Sequence, residues 1–327
     1  MPIPIEALRA VRRIVVHANC ADGRASALIL HAALPQATVV EVVYNSKEHR
    51  ELTPEPGDLF CDFSPWAPPL SEEPTAEERA DRGAAMERWA AAGTIVLDHH
   101  EEDIVRPFGE RGVFGYNTLR ESGAWLAFRE VWGRQPPTMR GVDLHPFVER
   151  LARRSAIRDT FQRHNGEWEA ACRLALTLRF LPLADLLAMG VERALGLAED
   201  IGPVLLAQHT REVEEAVKGA VIETIAGHSV AIIPSVTLTS DAADVLGRRV
   251  DVVAGFQYVH EHGTAALVWS LRSHAGVDVR AIAKCWGGGG HKPAAGFRVR
   301  INVLGLGESP YQIARRCLQM GIAGVSS

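Results

Sequence analysis

The sequence predicts an α/β fold with an N-terminal parallel sheet, a helical connector and a smaller C-terminal α/β domain. Short β-branched runs alternate with helical stretches in the first half, which is typical of a parallel sheet flanked by helices. The middle of the chain carries apolar residues at helical spacing almost throughout, and strand-like runs return after residue 220. We expect one domain over residues 1–195, connector included, and a second over residues 220–327.

The N-terminal half predicts strands and helices in alternation. The strands are expected at Arg13–His17, Thr38–Val43, Asp58–Phe63 and Thr94–Leu97, and the helices at Asp22–Leu34 and Ala76–Ala92. Ligands of parallel sheets bind at the carboxyl ends of the strands. The residues at the ends of these strands are therefore the first candidates for a functional site.

The connector and the C-terminal half are predicted from the same patterns. Connector helices are expected at Ser122–Val131, Leu144–Ala156, Leu183–Leu195 and Pro203–Val217. Later strands are expected at Val221–Ile225, Ser229–Ile233, Val252–Tyr258, Ala265–Leu271 and Gly296–Ile301, with short helices near Ser240–Leu246 and Val277–Cys285. The sequence pattern changes from helical to strand-like between residues 195 and 220, so we expect the domain boundary there.

The composition excludes several classes of protein. The 327 residues carry 35 Lys and Arg against 40 Asp and Glu, so no global positive field exists to hold a long nucleic acid. The five cysteines are spread out without a CxxC pair, which argues against a disulfide framework or a structural zinc and favours a reducing cytoplasm. We see no apolar stretch of signal-peptide or membrane-helix length, so we expect an unprocessed chain with no membrane partner.

Acidic residues and histidines cluster at the ends of the predicted N-terminal strands. Because these ends share one edge of a parallel sheet, we expect the side chains to meet there. Carboxylate and imidazole ligands without a thiolate cluster suit Mn²⁺, Mg²⁺ or Fe²⁺ better than a structural zinc. A pair of such ions needs a bridging carboxylate. The residues are His17, Asp22, Asp62, Asp98, His99 and His100.

Structural explanations compete at some of these positions. Asp22 stands where a helix begins, and an Asp there is usually a helix cap. Asp62 precedes Phe-Ser-Pro and could start a turn. The tripeptide 98–100 is harder to explain structurally, because a carboxylate and two imidazoles at a buried strand end are costly to desolvate without partners.

The second half holds a glycine run at residues 287–290, and His291 comes directly after it. Glycines let backbone amides approach an anion without obstruction by a Cβ, although a flexible loop is an equal alternative. Arg272 ends an apolar strand and would clamp a phosphate with its planar charged group. Ser240 is interpreted as a helix N-cap. Trp286 could stack on a nucleobase or pack in the core.

Five motifs occur along the chain: HANCADG at 17–23, DLFCDFSP at 58–65, DHH at 98–100, SAIRDTF at 155–161 and GGGGHKPAAGF at 287–297. Together they resemble the DHH superfamily of phosphoesterases with its C-terminal DHH-associated domain. The resemblance implies a two-metal centre, usually manganese with Mg²⁺, Co²⁺ or Fe²⁺ as substitutes, in the N-terminal domain. It also implies a C-terminal domain that holds the substrate, and hydrolysis by metal-activated water.

The resemblance assigns roles residue by residue. Asp62 would bridge both ions, His17 would bind the first, and Asp22, His99 and Asp159 would bind the second. Asp98 would orient an imidazole, and His100 would contact the scissile phosphate or protonate the leaving oxygen. The substrate-binding residues would be Arg272, Gly288, Gly289, Gly290 and His291.

One residue departs from the common first motif, HxxxDxDG. Cys20 stands at the first aspartate, one residue closer to His17, which is the CxDG form found in a subset of the superfamily. The first ion would then take Cys20 thiolate, Asn19, water or a substrate oxygen as a further ligand. Thiolate pairs poorly with Mn²⁺, so Cys20 is equally well interpreted as a small buried residue.

These observations predict a metal-dependent phosphoesterase that cleaves phosphodiester bonds of short oligonucleotides or dinucleotides. Two alternatives stay open: a polyphosphatase or phosphoadenosine phosphate phosphatase, and a nucleotide-binding module whose metal site is impaired by the missing aspartate. A homodimer is the oligomeric state that we regard as possible for this chain.

Overall fold

A computed structural model describes residues 3–44, 46–66, 76–100, 105–115, 121–134, 144–261, 264–274, 276–300 and 310–326. The chain divides into two compact units, Met1–Pro69 with Thr75–Ala207 and Leu70–Pro74 with Gln208–Ser327. Within the described ranges, none of the helices is both long and apolar enough to cross a membrane.

The first unit is built on a five-stranded sheet whose neighbouring strands all run parallel, in the order β2-β1-β3-β4-β5. The strands are β1 Arg13–His17, β2 Thr38–Val42, β3 Asp58–Cys61, β4 Ile95–Asp98 and β5 Gly112–Phe114. Both β3 and β4 are buried along their whole length, as expected for strands covered on both faces. This sheet, the helical middle of the chain and the mixed C-terminal sheet confirm the predicted α/β fold class.

Helices cover the parallel sheet and form the connector. They are α1 Ile5–Arg9, α2 Ala21–Ala33, α3 Lys47–Glu51, α4 Ala76–Ala92, α5 Gly123–Leu126, α6 His145–Asp159, α7 Trp168–Phe180, α8 Leu183–Asp200 and α9 Gly202–Lys218. The division between the units falls within α9. The helix predicted at Ser122–Val131 is instead a short α-helix with a π-helical turn after it, at Ala127–Val131.

Helix α2 lies at the centre of the first unit, with an uninterrupted run of buried residues from Asp22 to Leu30. A helix that is buried on every side must satisfy its polar groups within the protein. Arg24 does so by pairing with Glu41 and donating to the carbonyl oxygens of Leu178 and Leu181, each at 2.7 Å, at the end of α7. This residue therefore connects α2 to the connector helices.

The second unit contains a six-stranded mixed sheet in the order β10-β11-β9-β8-β7-β6. Its neighbours pair antiparallel except β7 and β8, which are parallel. The elements are β6 Val221–Ile225, β7 His228–Ile233, α10 Thr239–Leu246, β8 Val252–Glu261, β9 Thr264–Ser273, α11 Val279–Lys284, β10 Gly289–His291, β11 Ala294–Arg300 and α12 Pro310–Ser326. The predicted glycine loop is thus partly an edge strand.

Candidate metal centre

Three neighbouring strands of the parallel sheet bring polar residues to one edge. His17 is the last residue of β1, Asp62 comes directly after β3, and Asp98 is the last residue of β4. Because β1, β3 and β4 are adjacent and parallel, their carboxyl ends lie side by side. His99 and His100 come after β4 at the same edge.

Seven side chains with metal-binding atoms form three overlapping groups at this edge. Within each group all the candidate ligand atoms lie within 4.8 Å of one another. Asp62 belongs to the first two groups, and His99 belongs to the last two. The groups are His17 with Cys20 and Asp62, Asp62 with His99 and His100, and Asp22 with His99 and Asp159.

Asp62 occupies the centre of this arrangement. It is almost fully buried, with 1% of the residue exposed. Its Oδ1 lies 3.1 Å from His99 Nε2, and its Oδ2 accepts a hydrogen bond from Cys20 Sγ at 3.4 Å. Burial favours the neutral acid, but His99 and His100 outweigh it and lower the pKa of Asp62 to about 2. The carboxylate is therefore ionised at neutral pH.

The backbone at Asp62 is left-handed, with φ of 55°. Asp is one of the few residues with a Cβ that adopts this conformation readily. The alternative interpretation of Asp62 as a turn residue is thus compatible with its place at the centre of the cluster, because the chain turns directly after β3, at the sheet edge.

Asp22 is the second residue of α2, which begins at Ala21 and has Cys20 as the residue before it. The cap alternative for Asp22 is therefore wrong. Its Oδ1 accepts a hydrogen bond from Ser155 Oγ at 2.7 Å, and its Oδ2 accepts one from the backbone N–H of Ala124 at 3.2 Å. Burial, with the nearby charges of Asp159 and Asp62, raises the pKa of Asp22 to about 7.

Asp159 is the last residue of α6, and its Oδ2 lies 3.5 Å from His99 Nε2. Burial and the charge of Asp62 raise the pKa of Asp159, against the opposing charge of His99. For His99 itself, burial opposes protonation, but the carboxylates of Asp62 and Asp159 raise its pKa to about 10. The structure thus places Asp159 beside the DHH tripeptide, although the two are far apart in the sequence.

Asp98 and His100 form a pair next to Asp62. Asp98 Oδ1 accepts hydrogen bonds from the backbone N–H of His99 at 2.8 Å and from His100 Nδ1 at 2.7 Å. Burial disfavours the imidazolium, but the Asp98 carboxylate raises the pKa of His100 to about 9. The His100 side chain is 36% exposed. Its Nδ1 is held by Asp98, which leaves Nε2 as the nitrogen available to a ligand.

His17 and Cys20 complete the cluster. The His17 ring packs edge-on against Tyr44 with 4.7 Å between ring centroids, and burial lowers the pKa of His17. A neutral imidazole is the form that binds metals. Burial and the charge of Asp62 raise the pKa of Cys20 well above its usual range, so the side chain is a thiol here. Cys20 reaches the cluster despite the shortened spacing to His17.

Sequence reasoning gave no role to two residues that shape the cluster. Gly123 begins α5, and a Cβ there would lie 2.5 Å from Asp62 Cβ and 2.9 Å from Asp22 Oδ2. Ser155, on α6, supplies the hydroxyl from which Asp22 accepts a hydrogen bond. Ser155 opens the motif SAIRDTF, which was the signal that could have found it, whereas Gly123 lies outside all five motifs.

Arg272 lies in β9 of the second unit, where Nε donates to Ser240 Oγ at 2.9 Å and a terminal nitrogen donates to the Leu271 carbonyl at 2.8 Å. Ser240 is the second residue of α10 and not the residue that precedes it. The N-cap interpretation of Ser240 is therefore wrong, and its hydroxyl instead positions the guanidinium.

Two glycines of the run 287–290, Gly288 and Gly290, lie close to neighbouring backbone. Gly289, Gly290 and His291 form β10, which pairs antiparallel with β11. A Cβ at Gly288 would lie 2.3 Å from the Gly296 carbonyl oxygen, and Gly290 has φ of 131°. His291 is opposite Ala294, which in turn is opposite Arg272 on β9. The register thus places His291 and Arg272 in one row of the sheet, two strands apart.

Trp286 belongs to the core of the second unit. Its Nε1 donates to the Cys317 carbonyl at 3.2 Å, and its ring stacks on Phe297 with 6.1 Å between centroids. Of the two interpretations of this residue, the structure supports core packing.

The donor set of the N-terminal cluster fits divalent cations. Buried carboxylates and imidazoles converge there, and the mutual repulsion of the carboxylates contributes to the raised pKa of Asp22 and of Asp159. A cation would relieve this repulsion and use oxygen and nitrogen ligands of the kind that Mn²⁺ and Mg²⁺ accept. All five cysteines are free, and only Cys20 belongs to the groups found among the described residues.

Metal binding should release protons. With a pKa of about 10 for His99 and about 7 for Asp22, both groups hold protons that a cation must displace near neutral pH. Metal affinity should therefore rise as the pH increases from about 6 to about 9, with about one to two protons released per binding event near neutral pH. Calorimetric titration with Mn²⁺ in two buffers of different ionisation enthalpy measures this number. An affinity independent of pH over this range would contradict the assignment.

Comparison with known proteins gives structural likeness without sequence likeness. No protein-family model matches the sequence, and no curated protein sequence matches it. The chain is similar to the solved DHH domain of a protein described as a member of a family of ribosomal proteins, at 13% identity and a TM-score of 0.59. That likeness covers 97% of this chain and 87% of the other.

A second likeness is to PggH, a pGpG-specific phosphodiesterase from Vibrio cholerae, at 10% identity and a TM-score of 0.52. It covers 95% of this chain and 99% of the other. Both likenesses extend over nearly the whole length of this chain, so they include both units. At these identities they concern the fold, and they confirm at that level what the motifs indicated. This chain shares its fold with both solved proteins, one of which is described as a DHH domain.

Proposed function

We propose that the protein is a metal-dependent phosphoesterase that hydrolyses phosphodiester bonds of short oligonucleotides or dinucleotides. The observation that carries the proposal is the position of Asp62, whose carboxylate atoms belong to two overlapping groups of candidate ligands. A shared carboxylate between two sets of imidazoles and acids is the arrangement that a two-metal phosphoesterase requires. In this proposal residues 1–195 form the catalytic domain and residues 220–327 bind the substrate.

The residues that would hold the ions belong to the three groups, of which His100 is assigned to proton transfer instead. His17 and Asp62 would hold one ion, with Cys20 beside them, and Asp62 would also contribute to the site of the other. Asp22, His99 and Asp159 would complete the second site. Such ions would polarise a phosphoryl oxygen and make water a better nucleophile at neutral pH. We propose Mn²⁺ as the ion, with Mg²⁺, Co²⁺ or Fe²⁺ as substitutes.

His100 would transfer the proton that the leaving oxygen needs. Its Nδ1 is fixed by Asp98, whose carboxylate raises the pKa of the ring and so favours the protonated form. The Nε2 proton is then the one that points away from Asp98 and can be donated. Asp98 would act through His100, because it orients the ring and stabilises its charge.

The second unit would hold the substrate through Arg272, His291 and the glycines 288–290. Arg272 provides a guanidinium fixed by Ser240, and guanidinium groups bind phosphate oxygens with two parallel hydrogen bonds. The net charge of −5 disfavours long nucleic acids. The shared fold with a pGpG-specific phosphodiesterase supports a dinucleotide.

A second candidate is a nucleotide-binding module with an impaired metal site. It is supported by Cys20, a half-buried thiol in place of the carboxylate that the common first motif provides. A polyphosphatase or phosphoadenosine phosphate phosphatase would use the same metal cluster on another phosphoester. Free cysteines persist in a reducing compartment, so we propose that the protein is located in the cytoplasm. We also predict that it forms a homodimer.

A panel of substrates and metals tests these candidates. We expect the purified chain to cleave a 5′-phosphorylated dinucleotide with Mn²⁺ and to lose this activity in EDTA. Hydrolysis of polyphosphate or phosphoadenosine phosphate without cleavage of dinucleotides would favour the other enzymes. Tight dinucleotide binding without turnover in Mn²⁺, Mg²⁺, Co²⁺ and Fe²⁺ alike would favour the binding module.

A further inference from the structure

Two guanidinium groups and two aromatic rings lie together just beyond the end of α6. The Arg158 guanidinium carbon lies 5.0 Å from the ring centroid of Phe161 and 5.3 Å from that of Trp168. The Arg163 guanidinium carbon lies 5.4 Å from the Phe161 ring, and the two rings are 6.4 Å apart. We call these four residues the Arg–aromatic cluster.

Phe161 is unusual within this cluster. It is 40% exposed, although a large apolar ring is normally buried. Its φ is 53°, a left-handed conformation that is uncommon for a bulky residue and costs free energy. The end of α6 requires this conformation, because the N–H of Gln162 donates to the Ile157 carbonyl at 2.9 Å and that of Phe161 donates to the Arg158 carbonyl at 3.3 Å, as in a Schellman helix end. Glycine is the usual residue at this position, so a surface-exposed aromatic ring there is the unusual feature.

The Arg–aromatic cluster lies close to the candidate metal centre along the chain. Phe161 comes two residues after Asp159, and two residues span at most about 7 Å of backbone. Asp159 in turn is 3.5 Å from His99. A nucleoside is about as long as the backbone separation between Asp159 and Phe161, so a nucleotide bound at the metal centre would extend as far as the turn that carries Phe161.

We propose that the Arg–aromatic cluster is a nucleobase platform, on which a base next to the scissile phosphate stacks against Phe161 and the guanidinium of Arg163. This inference rests on the proposed function. Bases stack both on aromatic rings and on guanidinium planes, without requiring a particular base. The positive charge of Arg158 and Arg163 adds attraction to the adjacent phosphates. The platform would make the enzyme select nucleotides over phosphoesters that lack a base.

The test compares 5′-phosphorylated diadenylate with an analogue that has the same backbone but no bases. Binding is measured by calorimetry in EDTA, so the readout does not depend on turnover. The wild-type protein should bind the diadenylate about tenfold or more tighter than the abasic analogue. Phe161→Ala should lose most of this preference, and Phe161→Trp should keep it because the stacking surface remains.

Phe180→Ala is the matched control. Phe180 is also an exposed phenylalanine of the first unit, at 65%, but it ends α7 away from the turn after Asp159. Its replacement should leave the preference for diadenylate unchanged. With Mn²⁺ present, Phe161→Ala should raise the KM for diadenylate about tenfold with little change in kcat.

The outcomes separate this inference from the proposed function. Equal binding of diadenylate and the abasic analogue by the wild-type protein overturns the platform, even if Mn²⁺-dependent cleavage is observed. An unchanged preference in a folded Phe161→Ala variant overturns it as well. A preference that depends on Phe161, in a protein that cleaves nothing, supports the platform and rejects the phosphoesterase.

Discussion

Replacing Asp62 by asparagine should reduce the kcat for phosphodiester hydrolysis by at least about 1,000-fold. The reason is that Asp62 is the carboxylate shared by two groups of candidate ligands, so its loss weakens both ion sites together. Asparagine is the appropriate replacement because it tolerates the left-handed backbone of this position almost as well as aspartate does. The fold should therefore persist while the charge is lost.

Two further variants make the result interpretable. Asp200→Asn removes an exposed carboxylate at the end of α8 and should leave kcat unchanged. Cys20→Ala should have little effect if Cys20 only fills space, and a large one if its sulfur is an ion ligand. Steady-state kinetics with Mn²⁺ gives kcat, and circular dichroism gives the fold. A well-folded Asp62→Asn protein with full activity would exclude a two-metal mechanism.

Replacing Gly123 by alanine should damage both stability and metal binding. The new Cβ would meet Asp62 Cβ at 2.5 Å and Asp22 Oδ2 at 2.9 Å, so α5 or the two acids must move. We expect the free energy of unfolding to fall by about 1–3 kcal/mol, as in other overpacked sites. Mn²⁺ affinity should fall at least about tenfold, because candidate ligands of both ions are displaced.

Gly196→Ala is the control for this substitution. Gly196 lies in α8 with open space around its Cβ position, and alanine is the better helix former. Its replacement should leave metal affinity unchanged and should not lower stability. Urea denaturation in EDTA and Mn²⁺ calorimetry measure the two quantities separately. A Gly123→Ala protein with the stability and the Mn²⁺ affinity of the wild type would contradict this prediction, because the neighbouring backbone would then have made room for the new Cβ.

The predicted fold succeeded best where local pattern and burial agree. Strands such as β3 are short continuous apolar runs between turn signals, and the predicted bounds of β1 are those observed. The glycine run 287–290 carries no strand propensity, so its pairing with β11 depends on tertiary context alone. The π-helical turn after α5 has no periodicity signal of its own, because its hydrogen bonds reach only one residue further along the chain than those of an α-helix.

Some residues of the candidate site could be predicted from the sequence, and others could not. The metal-binding residue types stand out because each comes after a buried strand or belongs to a motif, as Asp62 and the DHH tripeptide do. The roles of Ser155 and Gly123 depend on how closely α6 and α5 approach Asp22, a tertiary distance that one sequence does not encode locally. Phe161 received no role because its exposure and its left-handed backbone are visible only in three dimensions.

The hydrogen bond between Ser155 and Asp22 also bears on how the protein folds. It joins residues 133 positions apart, so the acidic cluster closes a very long loop of the first unit. Closing such a loop costs conformational entropy, and long-range contacts of this kind form late and slow folding. During synthesis the cluster cannot be completed until α6 has left the ribosome. A cation that binds the finished cluster would thus hold together segments that meet last, and its removal should accelerate the unfolding of this unit first.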